Sequence, residues 1–475
     1  MLDSVTSEIF DIIANFYVID PSESPQDSIQ QVQRTLLLLR VTSPIRQLTL
    51  SHRTLWSDIH LHWPEQIVEF YRRQSKHTSK FISVHLDTEL VEDEKMKAKK
   101  VFWATFLARE MDSVVSLNIR LHTGHGSPAI ADAIENSSAK RLRKFTLELD
   151  EAITDNAGIH RLFNGIAPEL SHIRIYVAQP FDLTPFEALQ HMELRIGHHN
   201  IKHVFTMLSG LAKLQTVALE GVQRWMRQSL PAAPDSPIAL ETCTSFSITN
   251  VCASITGHIL AGIALPQIEH IVVKERMHYA NNKILTSFLA VLPRLDRPAK
   301  PREWLHLGLH PHRVVVRMQG CFYEMDWEGT SLHDRPRLIR LIGQFVSTLG
   351  KSVISNPIHL LIESTIVDSK RDKRHPVFFA REDQHTLLTH TYKTWPSVAS
   401  LYLLGNATAV VRALCHRQEI RLPSLETINL LTREHDAAKT IWDDKYLTIL
   451  RQLRHVNFVD RQVPEGQSSM STRSL

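Results

Sequence analysis

Apolar and polar positions alternate in two different rhythms along the chain. Near the front the rhythm is helical: Val5, Ile9, Ile12, Ile13 and Phe16 form one stripe behind the cap candidates Asp3 and Ser4. "PSESPQDS" breaks that run with two prolines. "IQQVQRTLLLLR" restarts it, with Ile29, Val32, Leu36 and Leu39 expected on a shared face. Pro44 disfavours a helical Ser43, so a third helix is short and begins near Pro44. A Leu55-Trp56 pair, an extended "DIHL" and a proline-led helix ending in "YRRQSKH" follow. Such short helices cannot close a core within about 60 residues. Their wide apolar faces call for cover, either from the rest of the chain or from another protein.

Past residue 80 the rhythm becomes apolar-x-x-apolar-x-apolar. It begins at Phe81, Val114, Leu142, Leu170, Leu189, Leu214, Cys243 and Ile268, and returns at Val398, Leu425 and Leu453. Context distinguishes these from chance matches. Pro168, Pro266, Pro396 and Pro423 each stand two residues before such a start, where a proline ends a helix and releases the chain into a strand. Helix-like segments precede them ("IHRLFNGIA", "GHILAGIAL", "TAVVRALCHRQEI") and turn-like ones follow ("QPFD", "EGVQ", "LGNAT"). Each unit reads as strand, turn and helix of leucine-rich-repeat length. Stacked units place parallel strands on a concave side and helices outside. Between 275 and 395 the pattern is irregular: "WLHLGLH" and "NPIHLLIES" read as strands, "RPRLIRLIGQFVSTLG" as a helix and "VVVRMQGCFYEMDWEG" as a hairpin. The expectation is an α/β chain with a helical domain at 1–62, a leucine-rich-repeat-like solenoid at 63–462 and a disordered tail at 463–475.

Composition narrows the function classes. With 43% hydrophobic and 22% charged residues the chain is expected to fold. A net charge of +4 over 475 residues does not point to nucleic acid, and the basic runs "EKMKAKK" and "KRDKRH" are local. Cys243, Cys252, Cys321 and Cys415 are too scattered for a disulfide framework or a cysteine zinc site. "MLDSVTSEIF" lacks the basic flank of a secretory leader, and no apolar run reaches the roughly 18 residues of a membrane span. A cytoplasmic or nuclear location is expected, with no membrane partner.

"SEIFDII" at 7–13, "LLLLRV" at 36–41, "LWSDIHL" at 55–61 and "FYRRQSKHTSKFISVHLD" at 70–87 together resemble the F-box domain, in particular the fungal F-box proteins with leucine-rich-like repeats. The chain departs from that pattern at Asp3, where the family often has proline. It departs again at "TSPIRQ", which replaces a Cys-Arg-x-Trp-Arg stretch and keeps only Arg46. The resemblance implies that the helical domain binds a Skp-type adaptor, and through it a cullin–RING ubiquitin ligase, while the repeats hold a target protein. The positions that carry over as adaptor-binding are Leu2, Val5, Ile9, Leu36, Leu39, Val41, Leu55 and Trp56. The alternative is a scaffold whose altered F-box no longer docks and only caps the solenoid.

Catalytic chemistry finds little footing. "STLGKS" at 347–352 ends like a phosphate loop, but Phe345 stands where the first glycine belongs and the preceding run reads as a helix. Histidines cluster at His60/His62, His122/His125, His198/His199/His203 and His306/His310/His312 without the acid and spacing of a helical metal site. Ser127 in "HTGHGSPA" lacks the strand–turn–helix setting of a hydrolase nucleophile. The expectation is a non-enzyme with no cofactor and no metal, in which Arg120, Arg174 and Arg195 near strand ends could favour an acidic or phosphorylated partner.

Overall fold

A computed structural model of the chain describes residues 7–17, 28–78, 81–91, 93–122, 128–149, 161–177, 181–197, 203–221, 234–276, 304–310, 313–318, 320–326, 340, 343–344, 346–347, 357–364, 381–405, 408–416, 419–420, 422–433 and 457–463. The chain divides into two units, Met1–Val217 and Ala218–Leu475.

The first unit opens with α1 (Ser7–Tyr17), α2 (Ser28–Leu38), α3 (Ser43–Ser51) and α4 (Arg53–Ser57). Thr42 caps α3 by accepting from the Ile45 N–H, with Pro44 in the first turn. Then come β1 (Asp58–His60), α5 (Glu65–Thr78), β2 (Ile82–Asp87), α6 (Asp93–Glu110), β3 (Val114–Leu121), α7 (Pro128–Asn136), β4 (Lys144–Leu149), β5 (His172–Tyr176), β6 (His191–Ile196), α8 (Val204–Leu208) and the start of β7 (Thr216–Gly221), whose last four residues belong to the second unit. The strands lie side by side in chain order, and each recorded pairing from β1 to β6 is parallel.

Alternation explains the sheet. Ile82, Val84 and Leu86 of β2 are buried while their neighbours are half-exposed, and the same two-residue period runs through β4, β5 and β6. The junction expected at 62 is crossed by close contacts. β1 pairs with β2, the Leu61 N–H donates to the His85 carbonyl, and the Trp103 indole donates to the Leu61 carbonyl. The helices and the first strands thus share one core.

The second unit contains β8 (Ile238–Ala239), β9 (Ser245–Cys252), α9 (Ala253–Ala261), β10 (Ile263–Ala264), β11 (His270–Arg276), β12 (Trp304–Leu309), β13 (Arg313–Met318), β14 (Cys321–Asp326), β15 (His359–Ser364), α10 (Arg381–Thr394), β16 (Ser400–Gly405), α11 (Thr408–Leu414), β17 (Cys415–His416), β18 (Glu419–Ile420), β19 (Thr427–Arg433) and β20 (Asn457–Val463). Its main strands run in the order β9-β11-β14-β13-β12-β15-β16-β19-β20. Within that order the recorded pairs are parallel except those of β13, which lies antiparallel between β12 and β14; the separate two-stranded pair β17–β18 is also antiparallel. The expected hairpin is therefore β13–β14, turned at Gly320 with φ +71°, and it belongs to a three-strand meander. The proposed strands at 304–310 and 356–364 are β12 and β15.

One local device repeats at the strand entries. At seven of the eleven predicted apolar starts the N–H donates to the carbonyl three residues earlier, over 3.0–3.5 Å: Ala139–Leu142, Ala167–Leu170, Phe186–Leu189, Leu211–Leu214, Leu240–Cys243, Trp395–Val398 and Leu422–Leu425. Each strand starts two residues after that apolar position. Pro168, Pro396 and Pro423 occupy the second place of such turns, which their fixed φ suits. Proline therefore shapes the turn into the strand as well as stopping a helix. The helix expected in "IHRLFNGIA" is replaced, over its described residues, by a short 3-10 turn at Phe163–Gly165, where Asn164 and Gly165 hold positive φ.

Candidate functional site

Two surfaces of the first unit hold the candidate functional residues. The first is formed by the helices. α2 does not bury the face expected from its leucines. Ser28, Gln31, Val32, Thr35 and Leu38 point inward, Ile29 and Leu37 are exposed, and Leu36 and Leu39 are half-buried. The inward polar groups have partners in the core. Ser28 Oγ lies 2.9 Å from His62 Nε2 and accepts from the Trp63 indole at 3.3 Å, and the Thr35 hydroxyl donates to the Gln31 carbonyl. With those groups satisfied, the leucines turn outward. Arg46, the one residue kept from the altered motif, closes α2 by donating to the Leu39 carbonyl at 2.7 Å.

Ile9, Ile12, Ile29, Leu37 and Val41 are 48–58% exposed, and they make up most of the large exposed hydrophobics among the described residues. Between α1 and the α3–α4 segment a cleft of about 330 Å³ is lined by Phe10, Asp11, Leu48 and His52, with His52 Nε2 3.0 Å from Asp11. Burial lowers the His52 pKa against the pull of Asp11.

Of the adaptor-binding residues expected from the sequence, Ile9 and Val41 are exposed, Leu36 and Leu39 are half-exposed, and Leu2 and Val5 lie outside the described residues. Leu55 and Trp56 are a correction, because neither has any accessible surface. The Trp56 indole donates to the Thr49 carbonyl at 2.9 Å, and its ring meets Tyr71 and Phe70 edge-on at 5.0 and 5.5 Å. The Leu55-Trp56 pair follows a polar loop because it plugs the joint between helices and sheet. A partner cannot touch it while that joint is closed.

The second surface is the polar face of the sheet. Strand pairing aligns Asp58 with Ser83, His60 with His85 and Asn118, and Asp87 with Arg120. It also aligns Thr146 with Arg174, and Arg174 with Glu193. Arg120 Nε lies 2.9 Å from Glu148, and Arg174 lies 3.3 Å from Glu193 and 3.7 Å from Glu148. The guanidinium groups of Arg174 and Arg195 lie 4.5 and 4.9 Å from the Tyr176 ring centroid. Arg120 and Arg174 sit within the strands beside Glu148 and Glu193, so the expected bias toward an acidic partner is offset at these two positions.

At the β1 end, His60 stacks on His85 at 4.7 Å and tilts over Trp63 at 5.0 Å. Burial alone would raise the Asp58 carboxyl, but His60 and His85 beside it hold it well below the usual carboxylate range. Burial lowers His60, and burial with His60, Lys99 and His85 pushes His62 down to about 3. Reading along the chain paired His60 with His62, whereas pairing across strands brings His60 to His85. The signal for this was the shared apolar-His step in "DIH" and "SVH". His122 meets Asp87 at 3.1 Å, and His306 meets Glu363 at 3.3 Å. His125, His198, His199, His312 and the "GKS" at 350–352 lie outside the described residues. Among the described residues no helix is long and apolar enough to cross a membrane. The chain matches no family model, and a search of curated proteins finds no match.

Proposed function

We propose that the chain is a non-catalytic substrate-recognition subunit of a Skp–cullin–F-box ubiquitin ligase, with α1–α3 docking a Skp-type adaptor and a repeat solenoid holding the target. The observation that carries this reading is the outward set Ile9, Ile12, Ile29, Leu37 and Val41, half-open on α1, α2 and the bend before α3, beside a core already closed by Trp56. A cluster of exposed aliphatic side chains loses contact with water only when another surface covers it. The solenoid reading is supported by the parallel strands in chain order through the first unit and by the repeated entry turn, as expected of stacked repeats. In this reading the polar ladder of the first unit faces the target protein.

The second reading, a scaffold whose helices only cap the sheet, is favoured by the sealed Leu55 and Trp56 and by the reduced motif around Arg46. Co-expression with a Skp-type adaptor separates the two. Docking requires co-purification that Leu37→Asp or Val41→Asp abolishes without lowering the unfolding midpoint. Absence of co-purification, or its survival in both variants, leaves the cap.

A further inference from the structure

The parallel pairing of β1 and β2 sets His60 directly opposite His85, with Asp58 two residues earlier on β1. Side chains alternate along a strand. The three therefore project from one face, while Ile59, Val84 and Leu86 go to the core. Their donor atoms converge. His85 Nε2 lies 2.8 Å from Asp58 Oδ1, His60 Nε2 lies 3.6 Å from Asp58 Oδ2, and one ligand atom from each residue falls within 4.8 Å of the others. Around a tetrahedral zinc with bonds of about 2.0–2.1 Å, neighbouring ligand atoms stand about 3.3 Å apart, and the observed separations bracket that spacing.

Asp58 Oδ1 is buried and accepts no hydrogen bond of good geometry despite its closeness to His85. The His60 ring is held in place from two sides, by His85 and by Trp63. Two imidazoles with one carboxylate suit a zinc-type ion, whereas calcium and magnesium prefer all-oxygen sets.

We propose that Asp58, His60 and His85 bind one divalent transition-metal ion of the zinc class, fastening the edge strand β1 to β2 where the helices join the sheet. A solvent molecule completes the coordination. The neighbouring trio Asp87, Glu89 and His122 offers no comparable site. Asp87 Oδ1 already accepts from the Glu89 N–H at 3.0 Å and contacts His122 Nε2 at 3.1 Å, and Glu89 is 74% exposed. The proposal stands independently of the adaptor reading.

The test is a Co²⁺ titration of the metal-stripped full chain, followed by visible absorption, with Zn²⁺ as competitor. One equivalent is expected to saturate the signal, and Zn²⁺ to erase it. His85→Gln and Asp58→Asn are expected to weaken binding at least tenfold, whereas His122→Gln changes it less than twofold. The proposal is overturned if no saturable one-equivalent signal forms, if the signal survives His85→Gln, or if His122→Gln removes it equally. An unfolding midpoint of the unaltered chain that Zn²⁺ fails to raise also overturns it, whatever the variants do.

Discussion

Glu275 shows how much one side chain can cost. The alternation that buries Ile271 and Val273 of β11 buries Glu275 as well, next to the bulge where β9 holds Asn250 at φ 58°. Its Oε2 accepts from the Tyr323 hydroxyl at 2.8 Å, while Oε1 has no hydrogen-bond partner among the described residues. Burial pushes its pKa up to about 8 from an ordinary 4.5. Between those values the unfolded chain ionises while the folded chain stays protonated. Its stabilising share is therefore complete below about pH 4.5 and is lost as pH rises toward 8. Glu275→Gln keeps an acceptor for Tyr323 and removes the ionisation. The variant is expected to gain about 2 kcal/mol at pH 7 and nothing at pH 4, read from urea midpoints at the two pH values. Glu110 is the opposite case. It is buried, yet Arg72, Arg109 and Lys76 lie 2.8, 2.9 and 3.2 Å away, tying α5 to α6. Glu110→Ala leaves Arg72 and Arg109 paired with Glu69 alone and opens a buried gap, and is expected to cost about 1–2 kcal/mol in chemical unfolding.

Elements were legible where short-range pattern decides them and illegible where distant partners do. The two-residue period located β2, β4, β5 and β6, and seven of the expected apolar starts, Leu142 and Leu170 among them, close the turn before their strand. The hairpin depended on a detail that pattern only suggests. At Gly320 a Cβ would collide with the Glu269 carbonyl, and the Gly320 carbonyl accepts from the Ile271 N–H. Gly320→Ala is expected to destabilise the second unit by about 2 kcal/mol, seen as a lower thermal midpoint. The face of α2 was misjudged because the partners of Ser28 stand at His62 and Trp63, which helical periodicity cannot register. The same blindness separated His60 from His85, whereas the outward reading of Trp56 came from the F-box resemblance and not from periodicity. A paired test follows on α2: Leu37→Ala is expected to change stability by less than about 0.5 kcal/mol, and Val32→Ala to cost about 1–2 kcal/mol.

For the first unit as a whole, the proposed docking turns on the shared core of helices and sheet. β1 belongs to the sheet, Trp56 packs on Tyr71 of α5, and Trp103 of α6 donates to Leu61. The helices therefore cannot detach as an independent docking module without opening the core that supports the strands. This coupling turns adaptor binding into a stability measurement. A partner that binds only the folded helices must raise the unfolding free energy of the same unit, by about 2.7 kcal/mol at a hundredfold excess over its dissociation constant. Added Skp-type adaptor is expected to protect the amides of β1 and β2 from hydrogen exchange, although it touches neither strand, and Val41→Asp is expected to remove that protection. If the helices serve only as a cap, the adaptor leaves exchange in β1 and β2 unchanged. In that case Val41→Asp, at an exposed position, alters neither exchange nor stability.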